Sequence, residues 1–142
     1  MLKAMIGVAL LAATPAAAQD SYRSDLQGVA SQSRVWWAKS RDGGGPVDPV
    51  SAPIKRFLFE DQCSMYIAFD DSVPGIPFSS GINLYFNNVD SIDTDGTMIE
   101  FELKDPSFMR NWHWGIEVPA DQVSRTMTAI RGVFSACGVD FE

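Results

Sequence analysis

Apolar residues recur along the chain with two different periods, and each switch of period marks a change of element. In residues 20–33, Tyr22, Leu26 and Val29 stand at helical spacing, which predicts a short amphipathic helix running into the strand-like Val35-Trp36-Trp37. Beyond residue 53 the period becomes two. Phe57 and Phe59 share one face, as do Cys63, Met65, Ile67 and Phe69, and Glu60-Asp61-Gln62 between them reads as the tight connection of a hairpin. A third strand carries Ile82, Leu84 and Phe86. A fourth turns Ile99, Phe101 and Leu103 inward and Glu100, Glu102 and Lys104 outward, and a fifth sets Trp112, Trp114, Ile116 and Val118 on one side. After Pro119 the helical period returns, with Val123, Met127, Ile130, Phe134 and Cys137 forming a continuous apolar stripe. Gly138 follows where a C-capping glycine belongs.

Two segments interrupt this pattern. Residues 40–53 hold Gly43-Gly44-Gly45 with Pro46, Pro49 and Pro53, which predicts a loop; no Lys-Ser/Thr pair follows the glycines, so they do not form a phosphate cradle. Residues 70–81, with Pro74, Gly75 and Pro77, predict a second loop. The expected fold is α+β: a bent antiparallel sheet or partial barrel of about five strands, wet on one face and closed by the C-terminal helix, with a short N-terminal helix. This plan resembles that of pleckstrin-homology-like domains, an analogy of fold that implies nothing about ligand. The organisation read from the chain is a leader at 1–18, a helix and strand-like segment at 19–39, the Gly/Pro-rich loop at 40–53 and the α+β core at 54–142.

The leader has the features of a secretory signal peptide. Lys3 precedes an apolar run over residues 5–13, and Ala16 and Ala18 provide the small side chains that signal peptidase requires, so cleavage is expected after Ala18. The apolar run is well short of the roughly 20 residues that span a bilayer. The first cysteine is Cys63, so no thiol at the cleavage point can take a lipid. A periplasmic or secreted protein is expected, with neither a membrane span nor a lipid anchor.

Composition adds limits to this picture. A chain of 142 residues, 46% of them hydrophobic, suits one domain with a real core. A net charge of −7 argues against a domain that neutralises phosphates, so nucleic acid is not expected as a partner. Cys63 and Cys137 are the only cysteines. The two periodicities direct both into the same core, and in an exported chain they are expected to form a structural disulfide.

Candidate chemistry is sparse. His113 is the only histidine, and the alternation of Trp112 and Trp114 turns it to the opposite, solvent face; no Gly-x-Ser-x-Gly elbow and no zinc-type spacing occur. Ser91-Ile92-Asp93-Thr94-Asp95-Gly96 followed by Glu102 overlays part of an EF-hand loop, but Ser91 stands where the first aspartate belongs. The alternation from Met98 onward also predicts a strand in place of the exiting helix, so an Asp-Gly turn is expected and no metal. Residues 60–105 hold ten acidic residues against Lys104 alone, a balance of −9 that either keeps an edge strand solvated or attracts a cationic partner. Trp36 and Trp37 must point oppositely in a strand, so one of them is expected to face solvent.

These features predict an exported, non-enzymatic binding or interaction domain of unknown ligand, docking a protein or a small ligand through sheet and loop surfaces, with a basic or cationic protein as the candidate partner and no cofactor. Its candidate surface is Asp93, Asp95, Glu100, Glu102, Trp36, Trp37 and His113. No residue is assigned to catalysis, a cofactor or a metal. One alternative is a small carboxylate-dependent enzyme built on pairs such as Asp70-Asp71 or Glu100/Glu102, which needs two acids facing each other across a cleft. Another is an accessory subunit of an envelope complex, in which a partner buries Trp36 or Trp37.

Overall fold

The amphipathic stripes at the two ends of the chain become helices packed against one face of a sheet. The structure is a computed structural model that describes residues 16–40, 49–70, 81–105 and 111–141. In chain order its elements are α1 (Ala16–Ala30), β1 (Arg34–Lys39), β2 (Val50–Asp61), β3 (Ser64–Phe69), β4 (Gly81–Tyr85), β5 (Val89–Asp95), β6 (Met98–Leu103), β7 (Trp112–Glu117) and α2 (Val123–Ser135), with short 3-10 turns at Phe86–Asn88 and Ala120–Gln122. The fold is α+β, with an antiparallel sheet of seven strands in the order β4-β3-β2-β1-β7-β6-β5.

Two meanders, β1 to β4 and β5 to β7, are joined by the central β1–β7 pair. The long strand β2 turns the corner between them: residues 50–53 pair with β1, and from Ile54 onward the partner is β3. Pro53 sits at this corner, where a missing N–H costs least. The Ile54 N–H donates to Ser33 O (3.2 Å), the Pro53 carbonyl accepts from the Asp70 N–H (3.2 Å), and a bulge follows between Ile54 and Arg56. The edge strands β4 and β5 lie at opposite ends of the order, yet only Phe86–Asn88 separates them. Such a connection spans at most about 14 Å, so the sheet must bend until its edges converge at that corner. No β4–β5 ladder closes it.

The concave face holds the core. Trp37, Trp114, Phe69, Phe86, Met65, Ile67, Leu84 and Ile99 pack under Leu26 of α1 and Ile130 and Phe134 of α2, and Phe134 stacks on Phe86 with ring centroids 4.1 Å apart. The helices touch where the Tyr22 ring lies on Gly132, a contact that a Cβ at Gly132 would enter at 2.3 Å. On the surface Arg125 donates to Asp25 at 2.6 Å, and that hydrogen bond raises the pKa of the guanidinium. Gly138 ends α2 in the left-handed conformation (φ 75°), with Val139 N–H bonded to Phe134 O (3.1 Å) and Gly138 N–H to Ser135 O (3.0 Å), the Schellman pattern its position predicts. No helix of the described residues is long and apolar enough to cross a membrane.

Several expectations need correction. The sheet has seven strands instead of about five, because Val35-Trp36-Trp37 forms the full central strand β1 and because β5 was hidden by a bulge between Val89 and Ser91. That extra residue places Val89 and Ile92 on the core side three positions apart, a spacing no period-two reading detects. Strand β2 begins at Val50, inside the loop expected over 40–53. The disulfide Cys63–Cys137 is present, with Cα atoms 5.7 Å apart, but it borders the core instead of lying in it. Strand β3 starts at Ser64, so exposed Cys63 belongs to the two-residue turn Gln62-Cys63, where Asp61 Oδ1 accepts from the Cys63 N–H at 2.7 Å; Cys137 is half-buried in the turn after α2. Residues 1–15 of the leader, 41–48 of the Gly/Pro loop and 71–80 of the second loop lie outside the described residues.

Candidate functional site

Strand alternation sends every second residue of β5, β6, β7 and β1 away from the core, and the registers place these outward residues in rows. One row runs Asp93, Glu100, Gly115, Trp36, Ser51, and the next runs Asp95, Met98, Glu117, Arg34, Pro53; Ser91 faces Glu102. The outer face therefore gathers the carboxylates of Asp93, Asp95, Glu100, Glu102 and Glu117, with the guanidinium of Arg34 turned toward β2, where it donates to Ser51 Oγ at 2.8 Å.

Three of the candidate side chains are tied down locally. Ser91 Oγ donates to Glu102 Oε2 at 3.0 Å. His113 Nδ1 lies 3.0 Å from Glu100 Oε2, an arrangement that requires hydrogen on Nδ1 because an ionised carboxylate only accepts. Asp93 and Asp95 are exposed, with neither a hydrogen bond nor an ion pair to the described residues. Asp93 stands directly opposite Glu100 across the β5–β6 ladder, where like charges repel.

Trp36 corrects the expectation of a solvent-facing tryptophan. Trp37 is fully buried in the core, its ring centroid 5.8 Å from that of Phe69; Trp36 points to the other face as alternation requires, yet is only 4% exposed. Its indole N–H donates to Ile99 O at 3.3 Å. Gly115 lies between Trp36 and Glu100 in the same row, and a Cβ there would stand 1.7 Å from Ile99 O, so the approach of β6 to β7 requires glycine at this point. The subunit alternative loses the exposed indole on which it depended.

Beside Trp36 lies a cavity of about 220 Å³ lined by Trp36, Ala38, Pro49, Met98, Asp93, Thr94, Asp95 and Glu100. Four of the sequence candidates thus meet around one hollow: an indole in its wall and three carboxylates. Glu102 and His113 share the face next to it, and Trp37 is on the opposite side of the sheet. Ala38, Pro49, Thr94, Met98 and Glu117 were not singled out from sequence. The alternation of Ile99 and Phe101 already turns Met98 outward with Glu100, and Ala38 shares the face of Trp36, so two of them were legible in principle.

Other acidic residues of the stretch over 60–105 lie on other elements or make local contacts. Asp61 caps the β2–β3 turn, Asp70 lies 4.0 Å from Lys55 Nζ, and the Asp105 N–H donates to Asn88 Oδ1 at 3.0 Å. Of the carboxylate pairs, Glu100 and Glu102 point the same way from one strand instead of across a cleft, and Asp71 lies outside the described residues. The partial EF-hand is a hairpin: Asp95 pairs with Met98 across Gly96-Thr97, with Gly96 at φ 61°. Among the described residues no three His, Cys, Asp or Glu side chains converge as a metal site.

No protein-family model, curated protein or solved structure matches the chain. A face with five carboxylates, three of them lining a hollow that also has apolar walls, carries a negative potential that favours cations.

Proposed function

We propose that this chain is an exported binding domain that docks a basic protein partner on the outer face of β5, β6, β7 and β1. The observation that supports this reading is the meeting of Trp36, Asp93, Asp95 and Glu100 around one cavity on an otherwise acidic sheet face. Export rests on the signal-like residues 1–18 and fits the Cys63–Cys137 disulfide, which persists in oxidising compartments. In this reading the bent sheet and its two helices, a plan like that of pleckstrin-homology-like domains, serve as a rigid scaffold. The carboxylates steer a cationic surface onto it, and the apolar wall supplies contact once water is displaced.

The test uses a basic probe peptide, three repeats of Lys-Arg-Gly. Binding to the wild-type chain should weaken as salt rises, because exposed charges are screened over about 10 Å at 0.1 M. Replacing Asp93→Asn, Asp95→Asn, Glu100→Gln and Glu102→Gln together should slow association about tenfold or more at low salt. The melting temperature should stay near wild type, since the amide oxygens of glutamine can still accept from His113 and Ser91 while the mutual repulsion of the carboxylates is removed. Added calcium should change neither melting temperature nor affinity. Association of the quadruple variant at the wild-type rate in low salt would reduce the acidic face to a solubility device.

A further inference from the structure

We infer that the outer-face cavity receives a single arginine side chain of the partner, an inference that rests on the binding reading above and specifies its contact. Size comes first. At about 220 Å³ the hollow is smaller than the roughly 300 Å³ at which pockets for drug-sized ligands begin, so it suits one side chain and not a larger molecule.

Its walls decide between the two basic side chains. Trp36, Ala38, Pro49 and Met98 are apolar, and the one polar atom of the indole is already bonded to Ile99 O. A lysine ammonium is a compact, strongly hydrated charge that would lose its water against such walls. A guanidinium is planar, delocalised and weakly hydrated, so it tolerates such apolar walls, and its methylene stem can pack on Pro49 and Met98, the more accessible apolar side chains of the lining.

The carboxylates supply the acceptors. Asp93 and Asp95 have no partner among the described residues, and Glu100, held by His113 through Oε2, retains further lone pairs. The five N–H donors of one guanidinium can bond more than one carboxylate at once, which the repelling Asp93/Glu100 pair needs. Among the described residues β5 is an edge strand, paired only with β6. A partner segment can therefore run along it and insert one residue.

Calorimetry with three capped hexapeptides that differ only at one central residue, arginine, lysine or the uncharged isostere citrulline, tests this. The arginine peptide should bind the wild-type chain about tenfold more tightly than the lysine peptide, and the citrulline peptide should lose binding. Asp93→Asn combined with Asp95→Asn should weaken the arginine peptide about tenfold at an unchanged melting temperature. Equal, salt-sensitive binding of the lysine and arginine peptides would overturn the cavity inference and leave the acidic-face reading standing. Equal binding of citrulline would overturn charge recognition, and failure of both cationic peptides to bind would overturn both readings.

Discussion

Gly115→Ala is expected to destabilise the protein by about 3 kcal/mol, at the upper end of what overpacking usually costs. The added Cβ would stand 1.7 Å from Ile99 O, 2.7 Å from Ile99 C and 3.0 Å from Glu100 Cα. All three are backbone atoms, so no side-chain rotation relieves the clash; β6 has to move away from β7. The pairs Ile99↔Ile116 and Glu100↔Gly115 would open, and the Ile99 carbonyl that holds the Trp36 N–H would move with them. Stability and the outer-face site should therefore fail together. Gly28→Ala in α1 is the control: nothing lies within 4 Å of its Cβ position, so alanine should be neutral or stabilise the helix by about 0.5 to 1 kcal/mol. Urea titration reads both variants, and a Gly115→Ala protein as stable as wild type would contradict the close β6–β7 approach.

Cys137→Ala should lower stability by about 2 to 5 kcal/mol. The bond joins residues 74 apart in sequence, and in the chain-entropy account closing a loop of that size restricts the unfolded chain strongly. It also ties the β2–β3 turn to the end of α2, whose Phe134 stacks on Phe86. Loss of the link should therefore loosen the helix at its C-terminal end first. Non-reducing peptide mapping of the exported protein should recover Cys63 linked to Cys137, and two free thiols there would contradict the pairing. The intact mass from the same material should correspond to a chain beginning at Gln19, and retention of residues 1–18 would contradict the export reading.

What was legible beforehand follows from which forces act locally. The α2 stripe, the inward set Met65, Ile67 and Phe69, and the opposition of His113 to Trp112 and Trp114 all follow from a period that neighbouring residues impose. β5 was not legible, because the bulge after Val89 breaks that period, and its turn residues resemble a calcium loop when read alone. The start of β2 was hidden by Pro49 and Pro53, whose usual meaning is a loop; here Pro53 occupies the corner where the strand changes partners. The site divides in the same way. Alternation gives the outward direction of Trp36, Asp93, Asp95 and Glu100. Their meeting depends on the neighbour order β1-β7-β6-β5, set by contacts far apart in sequence. The burial of Trp36 on a face that points away from the core was likewise beyond reach, since direction along a strand says nothing about what lies alongside the ring.

The most direct test of the central claim is to follow backbone and indole N–H resonances while the Lys-Arg-Gly repeat peptide is titrated in. Docking on the outer face predicts shifts at the Trp36 indole and at the amides of Asp93, Thr94, Asp95, Met98, Glu100 and His113. The indoles of Trp37 and Trp114, buried on the other side of the sheet, should stay in place. Shifts confined to the hollow lined by Tyr22, Arg131, Asp140 and Phe141, or spread evenly to Asp61 and Asp70, would contradict it.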